Sequence, residues 1–301
     1  MWVSAPETRP SPRSTGSEAK RSWRCPSVRA LHGGPRVRLA PELAAAAAFT
    51  GLAVGSFLNV VIHRIPIGET ALTPRRSYCP HCRAPIRARD NVPLLSYALL
   101  RGRCRNCDGA IGVVYPAVEA GAGALCVLAV SRFGVTLAAL HGAVFGCFLL
   151  ALAVTDARTL RLPDMLTGLG FSAGLALAAA AGVLAGTPRP VAEAAIGAIV
   201  AGSVLGVVRV AGSAAMRREA MGLGDVKLAG MIGVYLADWQ LVLLTIALSA
   251  VVGSVVGLGL RLAPRKRLEI PYGPFLALAA GVSLFWGDAL IQAYVRVILR
   301  M

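Results

Sequence analysis

Eight stretches of nearly unbroken apolar residues dominate this chain: Pro41–Ile62, 113–131, 135–155, 165–186, 190–211, 226–237, 239–260 and 271–291. Most approach the length of about 20 residues at which an α-helix crosses a bilayer. The composition agrees. Of 301 residues, 56% are apolar and only 15% are charged, with a mean hydropathy of +0.65. Soluble domains carry about 25% charged residues, so too few remain here to wet the surface of one. The chain is therefore expected to be an all-α polytopic membrane protein with about eight transmembrane helices, seven or eight of them full crossings. The sixth run is barely half a span. It is expected to be a partial helix or one tilted into the protein interior.

The formal net charge is +16, from 31 Lys and Arg against 15 Asp and Glu. In a soluble protein such an excess points to nucleic acid. Here aromatic residues make up only 6% and the arginines sit between apolar runs, so the charge orients helices and nucleic acid is not an expected partner. Of the 23 Lys and Arg residues after position 40, nine lie in 63–112, two in 157–164, four in 209–227 and four in 261–268. These segments are alternate loops and fall on one side of the membrane. Short loops rich in Lys and Arg stay cytoplasmic, so the polar stretch 63–112 is expected inside and the first helix begins outside.

Residues 1–40 differ from all that follows. They hold eight basic residues against Glu7 and Glu18, are rich in Arg, Ser and Pro, and show no apolar periodicity. Such a segment does not bury enough surface to order itself, and its polar lead is too long for a secretory signal. It also lies on the wrong side for the charge rule. The expectation is a disordered basic extension, either long enough to escape that rule or produced by a translation start assigned too far upstream. The rest divides into a first transmembrane helix (41–62), a cytoplasmic insertion (63–112) and a helical bundle (113–301).

The insertion holds four of the seven cysteines, as CPHC (79–82) and CRNC (104–107), separated by 21 residues. Two CxxC knuckles at this spacing can close a tetrahedral thiolate site for zinc. Cys79, Cys82, Cys104 and Cys107 are the expected ligands, because cytoplasmic thiols stay reduced and a disulfide framework is disfavoured. With little core of its own, the insertion would draw folding energy from the metal. His81 reads as a spacer. Cys126 and Cys147 fall in apolar runs as small hydrophobes, and Cys25 lies in the tail.

Acidic residues at membrane depth are costly and call for a reason. Asp164 follows Pro163 and precedes an apolar run, the place of an N-cap. Asp238 and Asp288 read as interfacial, while Glu119 lies inside the second run and Glu193 near the start of the fifth. Asp156, in LAVTDARTLRLPD, and Asp225, in MGLGDVKLAG, fall at the cytoplasmic ends of their runs and at one depth. Two carboxylates that approach each other do not both ionise cheaply. One can then activate water while the other protonates a peptide carbonyl. Spacing alone leaves a second reading open, that of helix-end acids facing water, since glycine is common here (33 residues) and a GxG before an acid is not rare.

The segments GSFLNVVIHRIP (55–66), CPHC and CRNC (79–107), NVPLLSYALLRGRC (91–104), DARTLRLPD (156–164), GLGDVKLAG (222–230) and PYGPFLALAAG (271–281) together resemble the bacterial prepilin peptidases, or type IV leader peptidases. They run in family order over about 41–290. The resemblance implies an inner-membrane aspartic protease with its active site at the cytoplasmic face. Asp156 and Asp225 would be its catalytic pair. Gly222 and Gly224 would let substrate backbone approach. Lys227, which does not face Asp225 because residues two apart on a helix point apart, is read from its own position as a snorkelling anchor with a minor electrostatic role. Members with the cysteine insertion are typically bifunctional. They cleave the basic leader of a prepilin or pseudopilin after Gly and then methylate the new N-terminus with S-adenosylmethionine. Residues 1–40 have no counterpart in this pattern.

Two rival classes remain for comparison. A transporter would use intramembrane acids as an ion relay and often contains Gly-rich broken helices, but relay acids lie near the midplane. A pilus or secretion assembly factor without catalysis would not need both aspartates.

Overall fold

A computed structural model of the chain describes residues 39–70, 77–219, 221–262 and 270–298. The basic extension, with Cys25, and most of the basic loop 261–268 lie outside these residues. Eight long helices account for the eight apolar runs: α1 (Pro41–Arg64), α2 (Val114–Phe133), α3 (Leu137–Thr159), α4 (Asp164–Ala185), α5 (Arg189–Met216), α6 (Leu223–Leu236), α7 (Trp239–Leu262) and α8 (Gly273–Ile298). No strand occurs among the described residues. Seven of the helices are long and apolar enough to cross a membrane. The eighth, α6, has 14 residues, or about 21 Å at 1.5 Å per residue, against a hydrocarbon core of about 30 Å. It is the partial helix expected from the sixth run.

Helix ends depart from the runs where polar residues retain helical dihedrals. The run that stops at residue 155 continues as α3 through Thr159, so Asp156 lies inside the last turn and not beyond it. Leu160 ends that helix in the left-handed region, with φ of 54°, and donates its N–H to the Asp156 carbonyl. The α5 helix likewise runs to Met216.

Each helix packs against its sequence neighbour, and α3 also meets α8 while α6 meets α4, α5 and α8. Lipid is as apolar as leucine, so such helices gain from close backbone contact at small residues. A Cβ added to Gly51 on α1 would lie 2.5 Å from the Ala122 carbonyl oxygen of α2. Gly197 of α5 and Gly233 of α6 meet backbone to backbone. The short helix is the core of the bundle, with Leu228, Ala229 and every residue from Met231 to Leu236 buried. Tyr235 stacks on Phe145 of α3, with centroids 4.5 Å apart, and His141 Nε2 contacts the Tyr235 carbonyl at 3.0 Å. Outward-facing residues are large and apolar, among them Phe49, Val183, Ile199, Val210 and Val255, a surface suited to lipid and not to water.

Gly233→Ala tests the α5–α6 contact. No room exists for the methyl group, so overpacking should cost about 1–3 kcal/mol, read as a lower unfolding midpoint in detergent. An unchanged midpoint would mean that the helices separate freely.

Candidate active site and thiolate cluster

The final turn of α3 and the first turns of α6 and α8 converge on two carboxylates. Asp156 is 5% exposed. Its Oδ2 accepts the N–H of Gly273, the first residue of α8, at 3.0 Å. Asp225 is half-buried in the first turn of α6. Its carboxylate accepts the N–H of Gly222, the residue that caps this helix, and lies within electrostatic reach of Asp156. Both carboxylates thus sit at helix N-termini, where unpaired N–H groups and the helix dipole favour negative charge. The two residues predicted as a pair are brought together.

Gly273 and Tyr272 belong to this site, although the sequence reading gave them no role. A Cβ on Gly273 would lie 2.5 Å from Asp156 Oδ2, so any side chain there displaces the carboxylate. The Tyr272 hydroxyl is 2.6 Å from Ser249 Oγ of α7, and the phenol lies within electrostatic reach of Asp225. The signal was the PYGPF segment itself, but a backbone donor leaves no trace in residue chemistry.

Gly224 acts as a packing surface for the chain. Its Cβ would meet Leu162 Cβ at 3.1 Å, which draws the α3–α4 link against α6. One expectation is corrected here. Asp164 does not cap α4: Pro163 occupies the N-cap position, no side-chain cap bond forms, and Asp164 is the first helical residue. Its Oδ1 pairs instead with Lys227 Nζ at 2.7 Å. The electrostatic partner of Lys227 is thus a residue of α4. The partner lies 63 positions away in sequence, so spacing along one helix did not reveal it. Asp238 caps α7 through a 2.7 Å bond from the Gln240 N–H.

The insertion folds around the four predicted cysteines. Its two knuckles are near copies. In the first, Cys79 N–H donates to the Ala84 carbonyl and Arg83 N–H to the Cys79 carbonyl; in the second, Cys104 N–H donates to Gly109 and Asp108 N–H to Cys104. Arg83 and Asp108 take equivalent left-handed conformations, with φ of 56° and 58°, and isolated bridges join Tyr78 to Pro85 and Arg103 to Ala110. The sulfurs of Cys79, Cys82, Cys104 and Cys107 all lie within 4.8 Å of one another, and the Cys79–Cys107 separation is 3.8 Å. A tetrahedron with Zn–S bonds of about 2.3 Å has edges of about 3.8 Å, so the donor set fits zinc. The N–H groups of Asn106 and Cys107 bring the Cys104 thiol down to about 7. For Cys107 a bond from the Gly109 N–H acts in the same direction, but burial and the neighbouring thiols outweigh it and push the group up to about 12. Ionising Cys104 and Cys107 together therefore calls for a cation beside them. His81 stays outside the set and packs by Gly109, and Cys126 and Cys147 are buried, as expected of a spacer and two small hydrophobes.

Two polar contacts escaped the sequence reading, one that docks the insertion on the bundle and one internal to it. Glu119 Oε2 of α2 accepts the Leu94 N–H at 2.8 Å. Arg105 makes a paired contact with Asp90, Nη2 to Oδ1 at 2.7 Å and Nε to Oδ2 at 3.0 Å, and this guanidinium holds the Asp90 carboxyl below its ordinary range.

Comparison with known proteins completes the description of the site. Residues 49–133 match the model of the bacterial peptidase A24 N-terminal domain, and residues 143–258 match that of the type IV leader peptidase family. A prepilin leader peptidase/N-methyltransferase of Burkholderia pseudomallei (strain 1026b) is 39% identical over 79% of this chain and 83% of its own length. Proteins of the same name from Aeromonas salmonicida (strain A449) and Pseudomonas aeruginosa are 35% and 34% identical, each over 82% of this chain and over 92% and 91% of their own lengths. No solved structure matches. With both halves of the bundle and the intervening insertion covered, the chain belongs to the type IV leader peptidase family of multi-pass inner-membrane proteins.

Proposed function

We propose that this protein is a prepilin leader peptidase and N-methyltransferase, with Asp156 and Asp225 as its catalytic pair. The observation that carries this reading is the convergence of two carboxylates from separate helices, each oriented by a backbone N–H. The family match and the relatives' names support the peptidase over the transporter. In this reading one aspartate is ionised and the other protonated, because adjacent carboxylates do not share two charges cheaply. The ionised group takes a proton from water as the oxygen attacks the scissile carbonyl. The protonated group donates to the carbonyl oxygen, and collapse frees the leader and a new α-amine. Gly222 leaves room at Asp225 for substrate backbone, Gly224 seats Leu162 against α6, and Lys227 pairs with Asp164 across α6 and α4.

A prepilin presents a basic leader and then an apolar helix, so its scissile bond lies at the membrane surface. The charge bias of the loops supports the cytoplasmic side as that surface. Residues 41–62 then form the first crossing, 63–112 the cytoplasmic insertion and 113–301 the peptidase bundle. Zinc held by Cys79, Cys82, Cys104 and Cys107 would have a structural role, replacing the core that the insertion lacks. S-adenosylmethionine would supply the methyl group for the amine that cleavage exposes.

The direct experiment is incubation of purified protein with a prepilin and mass analysis of the mature N-terminus. Asp156→Asn and Asp225→Asn should each lower cleavage by about 1,000-fold or more, because members of a catalytic unit fail nearly as badly alone as together. Normal processing by either variant would refute the assignment. Gly273→Ala should cost on the order of 100-fold by moving Asp156, with normal amounts of protein in the membrane. Asp164→Asn should stay within about twofold of wild type, since an exposed ion pair contributes little.

Replacing Cys79 and Cys82 with Ser should remove one zinc ion per chain by metal analysis and reduce methylation before cleavage. Active wild-type protein without zinc would disprove the metal site. An equal fall in both activities, in step with protein abundance, would reduce the metal to a general stabiliser.

A further inference from the structure

A cavity of about 440 Å³ lies where the insertion meets α1, α2 and α3, within the size range of small-ligand sites. Its lining includes Arg64 of α1, Tyr78 beside the first knuckle, Tyr115 and Glu119 of α2, and Arg158 of α3. With Tyr97, Arg87 and the mutually paired Asp90 and Arg105 also in the lining, three tyrosines, four guanidinium groups and two carboxylates border one space. The carboxylate is costly on an apolar helix, and it is oriented by the Leu94 N–H. Leu94 has φ of 59°, a conformation that leucine keeps only where its surroundings impose it.

This mixture of groups selects the ligand chemistry. With Asp90 and Arg105 neutralising each other, the wall keeps Glu119 beside Arg64, Arg87 and Arg158, so a purely anionic headgroup leaves Glu119 unmatched and a purely cationic peptide meets the arginines. A zwitterion bearing an additional positive centre and an aromatic base engages all three kinds of group, and cations are also drawn to aromatic faces. Position adds an independent argument. Arg158 and Asp156 share the final turn of α3, so the cavity and the proposed peptidase centre lie at one depth, on different faces of that helix. The amine freed by cleavage would be produced at the depth of this cavity.

We infer that the cavity binds S-adenosylmethionine, with Glu119 matching the sulfonium charge and Arg158 the carboxylate. The inference rests on the N-methyltransferase reading and assigns it a site. Glu119→Gln isolates the charge, because the amide oxygen still accepts the Leu94 N–H. Equilibrium dialysis of radiolabelled S-adenosylmethionine against the full-length, zinc-loaded protein should show binding weakened at least about tenfold in Glu119→Gln. Zinc content and unfolding midpoint should match wild type. Ultraviolet crosslinking of the same ligand to unaltered protein should label peptides containing Tyr78 or Tyr115, and it decides the matter if the variant is unstable. Wild-type affinity in Glu119→Gln, or label confined to other peptides, would overturn the site while prepilin methylation by the wild type left the activity standing. Wild-type protein that cleaves but neither binds the donor nor methylates would overturn the underlying reading and the cavity assignment with it.

Discussion

A carboxylate placed at the edge of a membrane bundle needs donors that cannot wander, and this protein takes them from the backbone. Asp156 is held by the first N–H of α8, and Asp225 by the capping N–H of α6. Much of the architecture follows from that choice. The N-terminus of α8 must meet the last turn of α3, which only a residue without a side chain allows. The α6 helix must begin at the depth where α3 ends, and Gly224 lets it do so against Leu162. Backbone donors fixed by two helices need no reorganisation when the charge on a carboxylate changes.

The insertion solves a different problem. It has no helix longer than Leu95–Leu99 and only isolated bridges among its described residues, too little to bury an apolar core. Its order comes from two knuckles of one design that bring four sulfurs together. Ser96 supports the connection between them by accepting from the Val92 N–H and donating to the Arg89 carbonyl. Glu119 then ties this unit to the bundle from inside a membrane helix.

What the sequence disclosed was side-chain chemistry and period. Runs of apolar residues located the helices, paired cysteines located the cluster, and Asp156 and Asp225 stood out because acids are expensive there. Partnerships between distant residues stayed hidden. Lys227 was weighed only against residues on its own helix, so its bond to Asp164 went unseen. Gly273 acts through an N–H that every residue but proline possesses, and only the close approach of Asp156 distinguishes it. Glu119 was visible as an acid in an apolar run, but its partner is the main chain of Leu94, which carries no sequence signal. The helix boundary at Thr159 was missed because Asp156, Arg158 and Thr159 are polar yet remain in the α3 ladder.

The shortness of α6 also bears on how the chain enters the membrane. Fourteen residues do not make a stable passenger when a nascent chain partitions between the translocon and lipid one segment at a time. The helix can settle only in company, and the two residues separating it from α7, Ala237 and Asp238, join it to a span of ample length. Integration of α6 and α7 as one hairpin against α5 would therefore precede assembly of the carboxylate pair. The carboxylate pair, which draws on α3, α6 and α8, would then come together only after the greater part of the bundle had been threaded.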